Sequence, residues 1–478
     1  MVVDDIQKES FKYAVVQYLD AISGLIGLII YTSVLSVTDV GLYFTGLAVF
    51  IIGSAGSRGL YDAVKKKGSE DDKNLSTYFS IALVGTVFYT IIMIALTTTG
   101  YVLLKSDSLP IEYNIPIALL YGIIIRFVAS GLFRSLVTAY DGEGNIATGG
   151  YYNLLRGLLE TILQIGLILL VEANIFYLFL GSAVSTVIIS GFMIKDLSHV
   201  NIKRFSKSDV ISIKDFGLWN SLSSTLLTVE HRLVTIILAL VNPAIAGIYG
   251  AVIRTTKPAL YVPSSLSQTL FIETSFRKSK DESISDKIPM ATKYASVLSI
   301  PMLFGAIGFP TDILSVLYSS EFSEGGPILI SMSIAVIMRS QSYILSGYLY
   351  GSDMAKSVTK STAINFVASI SILLVGIQLI GLDALLISLV VSRFLHLIYL
   401  YRTVKSICEF SLNRDIIYQF IASALMLAMI YGQKALFNMD SYVIIVFVSI
   451  NALLYFAFLM ILDNEFYKMV SEKISGHV

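Results

Sequence analysis

The stretch Gly217–Ser275, GLWNSLSSTLLTVEHRLVTIILALVNPAIAGIYGAVIRTTKPALYVPSSLSQTLFIETS, decides the fold. It reads as two membrane-crossing helices, over 217–240 and 244–273, parted by a turn at Asn242-Pro243. A helix needs about 20 mostly apolar residues to cross a bilayer, and both segments are long enough. Both also carry ionisable groups near mid-depth: Glu230, His231 and Arg232 in the first, Arg254 and Lys257 in the second. A charge at that depth costs at least about 2.5–3.5 kcal/mol, so it must meet a partner or a wet cavity. Gly247-Ile248-Tyr249 repeats Gly41-Leu42-Tyr43, each just after a long apolar segment. The stretch therefore predicts a charged cavity and a duplicated architecture.

Composition places the rest of the chain in the membrane as well. Of 478 residues, 55% are hydrophobic and 14% charged, against about 25% charged in soluble domains. Mean hydropathy is +0.75. Formal net charge is zero, so no overall field draws in nucleic acid. The lone Cys408 excludes an internal disulfide and a cysteine zinc site. The apolar run after Lys12 is too long for a signal-peptide core and lacks a small-residue cleavage site, so it reads as the first span.

Apolar runs bounded by polar, Gly or Pro turns predict 14 transmembrane helices. They cover 11–35, 42–60, 78–104, 115–138, 149–171, 175–195, 217–240, 244–273, 290–312, 327–350, 358–379, 382–404, 414–436 and 441–462. The connections alternate in charge. One side holds 24 of the 34 Lys and Arg, and the other holds only Lys105 and Lys434. The positive-inside rule then places both termini in the cytoplasm. External connections are too short for a soluble domain. The basic connections 196–216 and 274–289 read as solvated linkers or as amphipathic helices on the inner leaflet.

An internal repeat runs through the spans. Gly41 and Gly247 are 206 apart (247 − 41), Arg126 and Arg339 are 213 apart (339 − 126), and Ser185 and Ser392 are 207 apart (392 − 185). Six spans separate each pair, and an even number makes the halves parallel, related by an axis along the membrane normal. The expected all-α architecture is two six-helix lobes with pseudo-two-fold symmetry, 1–210 and 211–406, plus two appended helices in 407–478.

Within the spans the charge balance is cationic. Arg58, Arg126, Arg156, Arg232, Arg254, Lys257, Arg339 and Arg393 face only Asp20, Glu160 and Glu230, with Glu273 and Asp312 at span ends. Guanidinium groups bind phosphate in a two-pronged way and stay charged at any accessible pH. Arg126, Arg254, Lys257, Arg339, Arg232 and Arg393 are the candidates for a cationic lumen that accepts an anionic headgroup. Arg254 and Lys257, three apart, share a helix face. The plain alternatives are pairing and snorkelling: Arg156 and Glu160 sit four apart and can neutralise one another, and Arg58 can reach the interface. Asp20 and Glu230 are candidates for ion coupling, or buried structural acids. His231 and His396 read as packing residues rather than proton switches. No Gly-Lys dipeptide occurs, which removes the phosphate-binding loop of nucleotide hydrolases, and neither H-E-x-x-H nor D-x-D occurs. No cofactor or catalytic residue is expected.

Four short stretches resemble a known family. Val34-Leu35 through Asp39-Val40-Gly41-Leu42-Tyr43 is similar to L-x-x-x-x-(F/Y)-G-x-(Y/F) after the first span, with Ala246-Gly247-Ile248-Tyr249 as its second copy. Ile313-Leu314-Ser315-Val316-Leu317-Tyr318 resembles I-L-x-L-(L/F)-(Y/F)-G, with Ser319 in place of the Gly. Ile380-Gly381-Leu382-Asp383-Ala384 resembles G-x-x-G-A-A, with Asp383 in place of the second Gly. Their order resembles the polysaccharide-exporter and O-antigen-flippase branch of the multidrug/oligosaccharidyl-lipid/polysaccharide exporter superfamily. The resemblance implies an alternating-access flippase of the cytoplasmic membrane, moving a polyprenyl-linked oligosaccharide whose phosphate sits in a cationic cavity. It implies membrane lipids as surroundings and glycan polymerases or glycosyltransferases as pathway neighbours. Two alternatives are an ion-coupled multidrug exporter of the same fold and a membrane transferase built on Glu230-His231-Arg232.

Overall fold

The protein is described by a computed structural model, over residues 19, 22–70, 75–105, 116–143, 145–197, 200–278, 287–408, 413–437 and 440–474. Asp20 and the side chains of Glu230 and His231 lie outside the described residues. The described residues are helical, with turns and no strand. Apolar helices are what a bilayer allows, because each backbone N–H and C=O is satisfied inside the segment.

Eleven described helices are long and apolar enough to cross a membrane. The first unit, residues 1–250, holds α1 (Ile22–Val34), α2 (Val37–Ala55), α3 (Arg58–Glu70), α4 (Leu75–Lys105), α5 (Ile117–Gly142), α6 (Ile146–Leu170), α7 (Ile175–Asp196) and α8 (Lys207–Val241), with α9 (Pro243–Thr256) running on past its end. The second unit, residues 251–478, holds α10 (Tyr261–Lys278), α11 (Lys287–Ala295), α12 (Ser299–Gly308), α13 (Asp312–Leu317), α14 (Gly326–Gly351), α15 (Ala355–Ile380), α16 (Asp383–Lys405), α17 (Ile416–Leu436), α18 (Ser441–Leu462) and α19 (Asn464–Ile474).

Of the three other expected spans, 11–35 is described only at residue 19 and from residue 22 on, 217–240 lies within the long helix α8, and 244–273 is interrupted. The first shows a short apolar helix, Ile22–Val34, and the second an apolar end, Arg232–Val241. The third is broken: α9 stops at Thr256, a tight 3-10 turn spans Lys257–Leu260, and α10 begins at Tyr261. Pro258 removes a backbone donor and disfavours the helical conformation of Lys257 before it. The ninth span divides into α11 and α12 over residues 296–298, where Pro301, in the first turn of α12, leaves the Val297 carbonyl without its helical donor.

Caps move other boundaries. The second span begins at Val37 rather than 42, because the Ser36 hydroxyl accepts from the Asp39 N–H. It ends at Ala55, so Arg58 opens the separate helix α3. The connection expected over 196–216 is helical from Lys207, started by a capping box between Ser206 and Asp209. That helix, α8, continues into the span and packs along α2 and α3, which carries the boundary of the first unit to Gly250.

The repeat has a physical counterpart at the starts of α2 and α9. A Cβ on Gly41 would lie 1.7 Å from the Pro243 carbonyl oxygen, and a Cβ on Gly247 would lie 2.4 Å from that of Val37. Val37 and Pro243 are themselves 206 apart (243 − 37). Each copy thus offers its first-turn carbonyl to the other's glycine, the exchange a two-fold axis imposes. Gly381 serves a different need: its φ of +64° closes α15 into the turn before α16, a backbone region that only glycine enters freely.

Ion pairs join helix ends. In the first unit Lys65 pairs with Asp141 at 3.1 Å, and Tyr140 donates to Asp196, so α3, α5 and α7 share one end. In the second unit Lys278 pairs with Asp353 at 2.9 Å, and Lys434 with Asp312 at 2.7 Å. Lys293, one of the 24 basic residues counted on the cytoplasmic side, is 1% exposed. Its ammonium lies 2.8 Å from Asp463, 3.0 Å from Glu465 and 3.3 Å from Asp415, tying α11 to α17, α18 and α19. The three carboxylates lie near enough to hold a metal ion, but the ammonium already sits among them.

Gly41→Ala and Gly247→Ala should each lower stability by about 1–3 kcal/mol, since overpacking here meets backbone rather than a flexible side chain. Gly100→Ala, which meets nothing within 4 Å, serves as the neutral control in detergent thermal unfolding. Lys293→Met should cost about 3–5 kcal/mol by leaving Asp463 buried and unpaired, and Lys293→Met/Asp463→Leu should recover most of it.

Candidate functional site: an arginine-lined cavity in the first unit

Helix periodicity assembles the site. On α5, Arg126, Ser130, Arg134 and Thr138 are spaced by four and fall on one face. On α3, Arg58 and Asp62 do the same, and on α6 Asn153 and Arg156 follow at three. These faces enclose a cavity of about 490 Å³. Phe50 and Ile51 from α2, Tyr61 from α3, Phe133 and Val137 from α5 and Ser182 and Thr186 from α7 complete its lining. Four guanidinium groups therefore converge on one space, with Asp62 as the acid on its wall.

The acid behind the wall is Glu160. Its Oε1 lies 3.2 Å from Arg126 Nη2 and its Oε2 lies 2.5 Å from Arg156 Nη1. Ser182 also bonds to it. The α6 residue one turn on, Gln164, is buried. Its amide donates to the Leu178 carbonyl at 2.7 Å and to the Tyr43 hydroxyl at 3.2 Å, and it accepts from Tyr31 at 2.5 Å. Arg126 stands 5.0 Å from the Phe50 ring and Arg156 5.4 Å from the Phe133 ring, so aromatic faces carry part of the cationic charge.

Donor capacity remains. Arg126 Nη1 is buried and has no hydrogen-bond partner among the described residues. The Arg134 guanidinium lies beside Tyr61 and feels Arg58, Arg156 and Arg126 as like charges. A set of converging guanidinium groups with unspent donors binds a polyanion, phosphate above all.

Of the residues singled out in the sequence, the cavity brings together Arg126, Arg58 and Arg156. Arg156 does pair with Glu160, as its spacing suggests, and Arg126 shares that carboxylate. Arg232 is half-buried on α8. The others belong to the second unit. Arg254 is half-buried on α9, whereas Lys257 is exposed at the start of the 3-10 turn, so the α-helical register expected to align them ends at Thr256. Arg339 lies 5.5 Å from the Tyr343 ring. Arg339 and Arg393 are near enough for their charges to reach the buried His396. Arg134, one of the 24 basic residues counted on the cytoplasmic side, also lines the cavity. The four-residue series from Arg126 through Ser130 and Arg134 to Thr138 was the signal that marked it as a cavity residue.

No family model matches the sequence. The chain resembles the solved lipid II flippase MurJ in its inward closed conformation, with a TM-score of 0.79 at 14% identity, covering 95% of this chain and 99% of that one. A multidrug resistance MATE transporter of the MOP superfamily, in its inward-facing conformation, matches with a TM-score of 0.65 at 13% identity over 86% and 96% of the two chains. This chain has the MOP-superfamily fold. Curated relatives are similar over part of their length. The probable low-salt glycan biosynthesis flippase Agl15 of Haloferax volcanii is 25% identical over 201 residues, 41% of this chain and 42% of that protein. The probable lipid II flippase MurJ of Aquifex aeolicus is 27% identical over 239 residues, 48% and 46% of the two. The chain spans less than half the length of each of these relatives.

Gln164→Leu should destabilise the protein by about 1–3 kcal/mol, because it removes the buried hydrogen bonds with Tyr31, Tyr43 and the Leu178 carbonyl. Arg134→Met should do the reverse and raise stability by about 0.5–2 kcal/mol, since it removes a desolvated guanidinium that Arg58, Arg156 and Arg126 repel. Thermal unfolding of the two variants in detergent checks both signs.

Proposed function

We propose that the protein is a flippase that moves a polyprenyl phosphate- or pyrophosphate-linked oligosaccharide across the cytoplasmic membrane by alternating access, in the making of a surface polysaccharide or another glycan. The observation that carries this reading is the convergence of Arg58, Arg126, Arg134 and Arg156 on one cavity. A phosphate headgroup is the anion a membrane-embedded arginine cluster is suited to hold, and a lipid tail can stay in the bilayer while the headgroup enters. The flippase names of the partial relatives support it. In this reading Arg232, Arg254, Lys257, Arg339 and Arg393 extend the cationic path, and Asp20 and Glu230 are the candidates for ion coupling. The lobes are 1–210 and 211–406, with 407–478 appended, and both termini face the cytoplasm. Membrane lipids surround the protein, and the glycan's polymerase or glycosyltransferases are its working partners. The chemistry is binding and release, with no bond made or broken.

The second reading, an ion-coupled multidrug exporter, is favoured by the likeness to a MATE transporter. The cavity argues against a cationic drug as cargo, because four arginines repel it.

Transbilayer movement in proteoliposomes tests the choice, with a fluorescent polyprenyl-pyrophosphate oligosaccharide set against a cationic drug. Wild type should move the glycolipid and not the drug. Arg126→Ala/Arg134→Ala should slow glycolipid movement at least about tenfold, the loss of charge-assisted hydrogen bonds worth about 1.5–3 kcal/mol each. Drug movement without glycolipid movement would sink the flippase reading.

A further inference from the structure

Glu160 stands where an incoming anion must compete. Each of its oxygens holds a different cavity arginine, Arg126 at 3.2 Å and Arg156 at 2.5 Å. It is held from behind by α6, where the Gln164 amide reaches Oε1 at 3.5 Å and is itself clamped by Tyr31, Tyr43 and the Leu178 carbonyl. The carboxylate is therefore fixed, and each arginine keeps donors for the cavity. Arg126 Nη1 is one of these, buried and without a partner among the described residues.

We infer that Glu160 is a resident counter-anion that weakens the hold of Arg126 and Arg156 on a bound phosphate, and so sets how readily the cargo is released. The inference rests on reading the cavity as a headgroup site. The charge arithmetic gives its logic. Four arginines less Asp62 and Glu160 leave two positive charges, the number a diphosphate diester neutralises. Without Glu160 three would remain, and the headgroup would be held rather than passed on. A conduction site must bind well enough to load and weakly enough to empty. Glu160 is thus a positioning residue that does not touch cargo, and its effect is the opposite of that of a structural acid.

The test uses the purified full chain, with inorganic pyrophosphate as the probe in calorimetry and the fluorescent glycolipid in proteoliposomes. Glu160→Gln keeps the shape and removes the charge. It should bind pyrophosphate about tenfold tighter, as expected for deleting one nearby like charge from a partly screened site. It should also saturate with glycolipid at lower concentration and turn over more slowly. Glu160→Asp, too short to span both arginines, should tighten binding by a smaller factor, and it provides the measurement if the Gln variant fails to fold. Equal or weaker pyrophosphate binding in the folded variant overturns the inference. If wild type moves no glycolipid but Glu160→Gln still binds pyrophosphate more tightly, the flippase reading falls and the counter-anion role stands for another anionic cargo. If wild type moves glycolipid and the variant gains no affinity, the counter-anion role alone falls. Absence of pyrophosphate binding in wild type and variants alike overturns both.

Discussion

A carboxylate held between two arginines makes the interior of the first unit possible. Burying four guanidinium groups in one region would be prohibitive without a counter-charge, since the penalty for an isolated ion in low dielectric far exceeds what packing returns. Glu160 offsets one of the four positive charges, shared between Arg126 and Arg156, and the aromatic faces of Phe50 and Phe133 take up part of the charge on the same two arginines. The carboxylate is in turn kept in place by neutral hydrogen bonds through Gln164 to α1, α2 and α7. Binding capacity and helix packing are thus coupled through one side chain of α6.

Close backbone approach is the second constraint. The reciprocal contact of Gly41 and Gly247 leaves no room for a Cβ on either, so α2 and α9 meet main chain to main chain. Such contacts between small residues are how helices associate in lipid, where apolar side chains gain little by leaving the bilayer. Ion pairs carry a comparable load at the helix ends, where Lys293 among Asp415, Asp463 and Glu465 holds α11 against the last helices of the chain. There the ammonium is buried and each partner brings its own chain segment, so the pairing fixes which ends come together.

The all-helical fold was legible in the sequence because apolar length and charged interruptions are local properties. The repeat was legible too: the 206-residue offset that pairs Gly41 with Gly247 is the spacing that brings them into contact. Boundaries were less legible where a cap or a proline decides them, as at Ser36, Ser206 and Pro258.

What the sequence by itself determined is that the chain is helical, membrane-embedded and duplicated, since each follows from residue type and spacing along the chain. Only the tertiary structure decided which charges meet. Arg126 was singled out as a lumenal cation, yet it shares Glu160 with Arg156, while Arg134, counted on the cytoplasmic side, joins the cavity. The physical reason is that an ion pair or a cavity is made by side chains from different helices. Its geometry depends on how those helices rotate and pack, which periodicity within one helix does not encode.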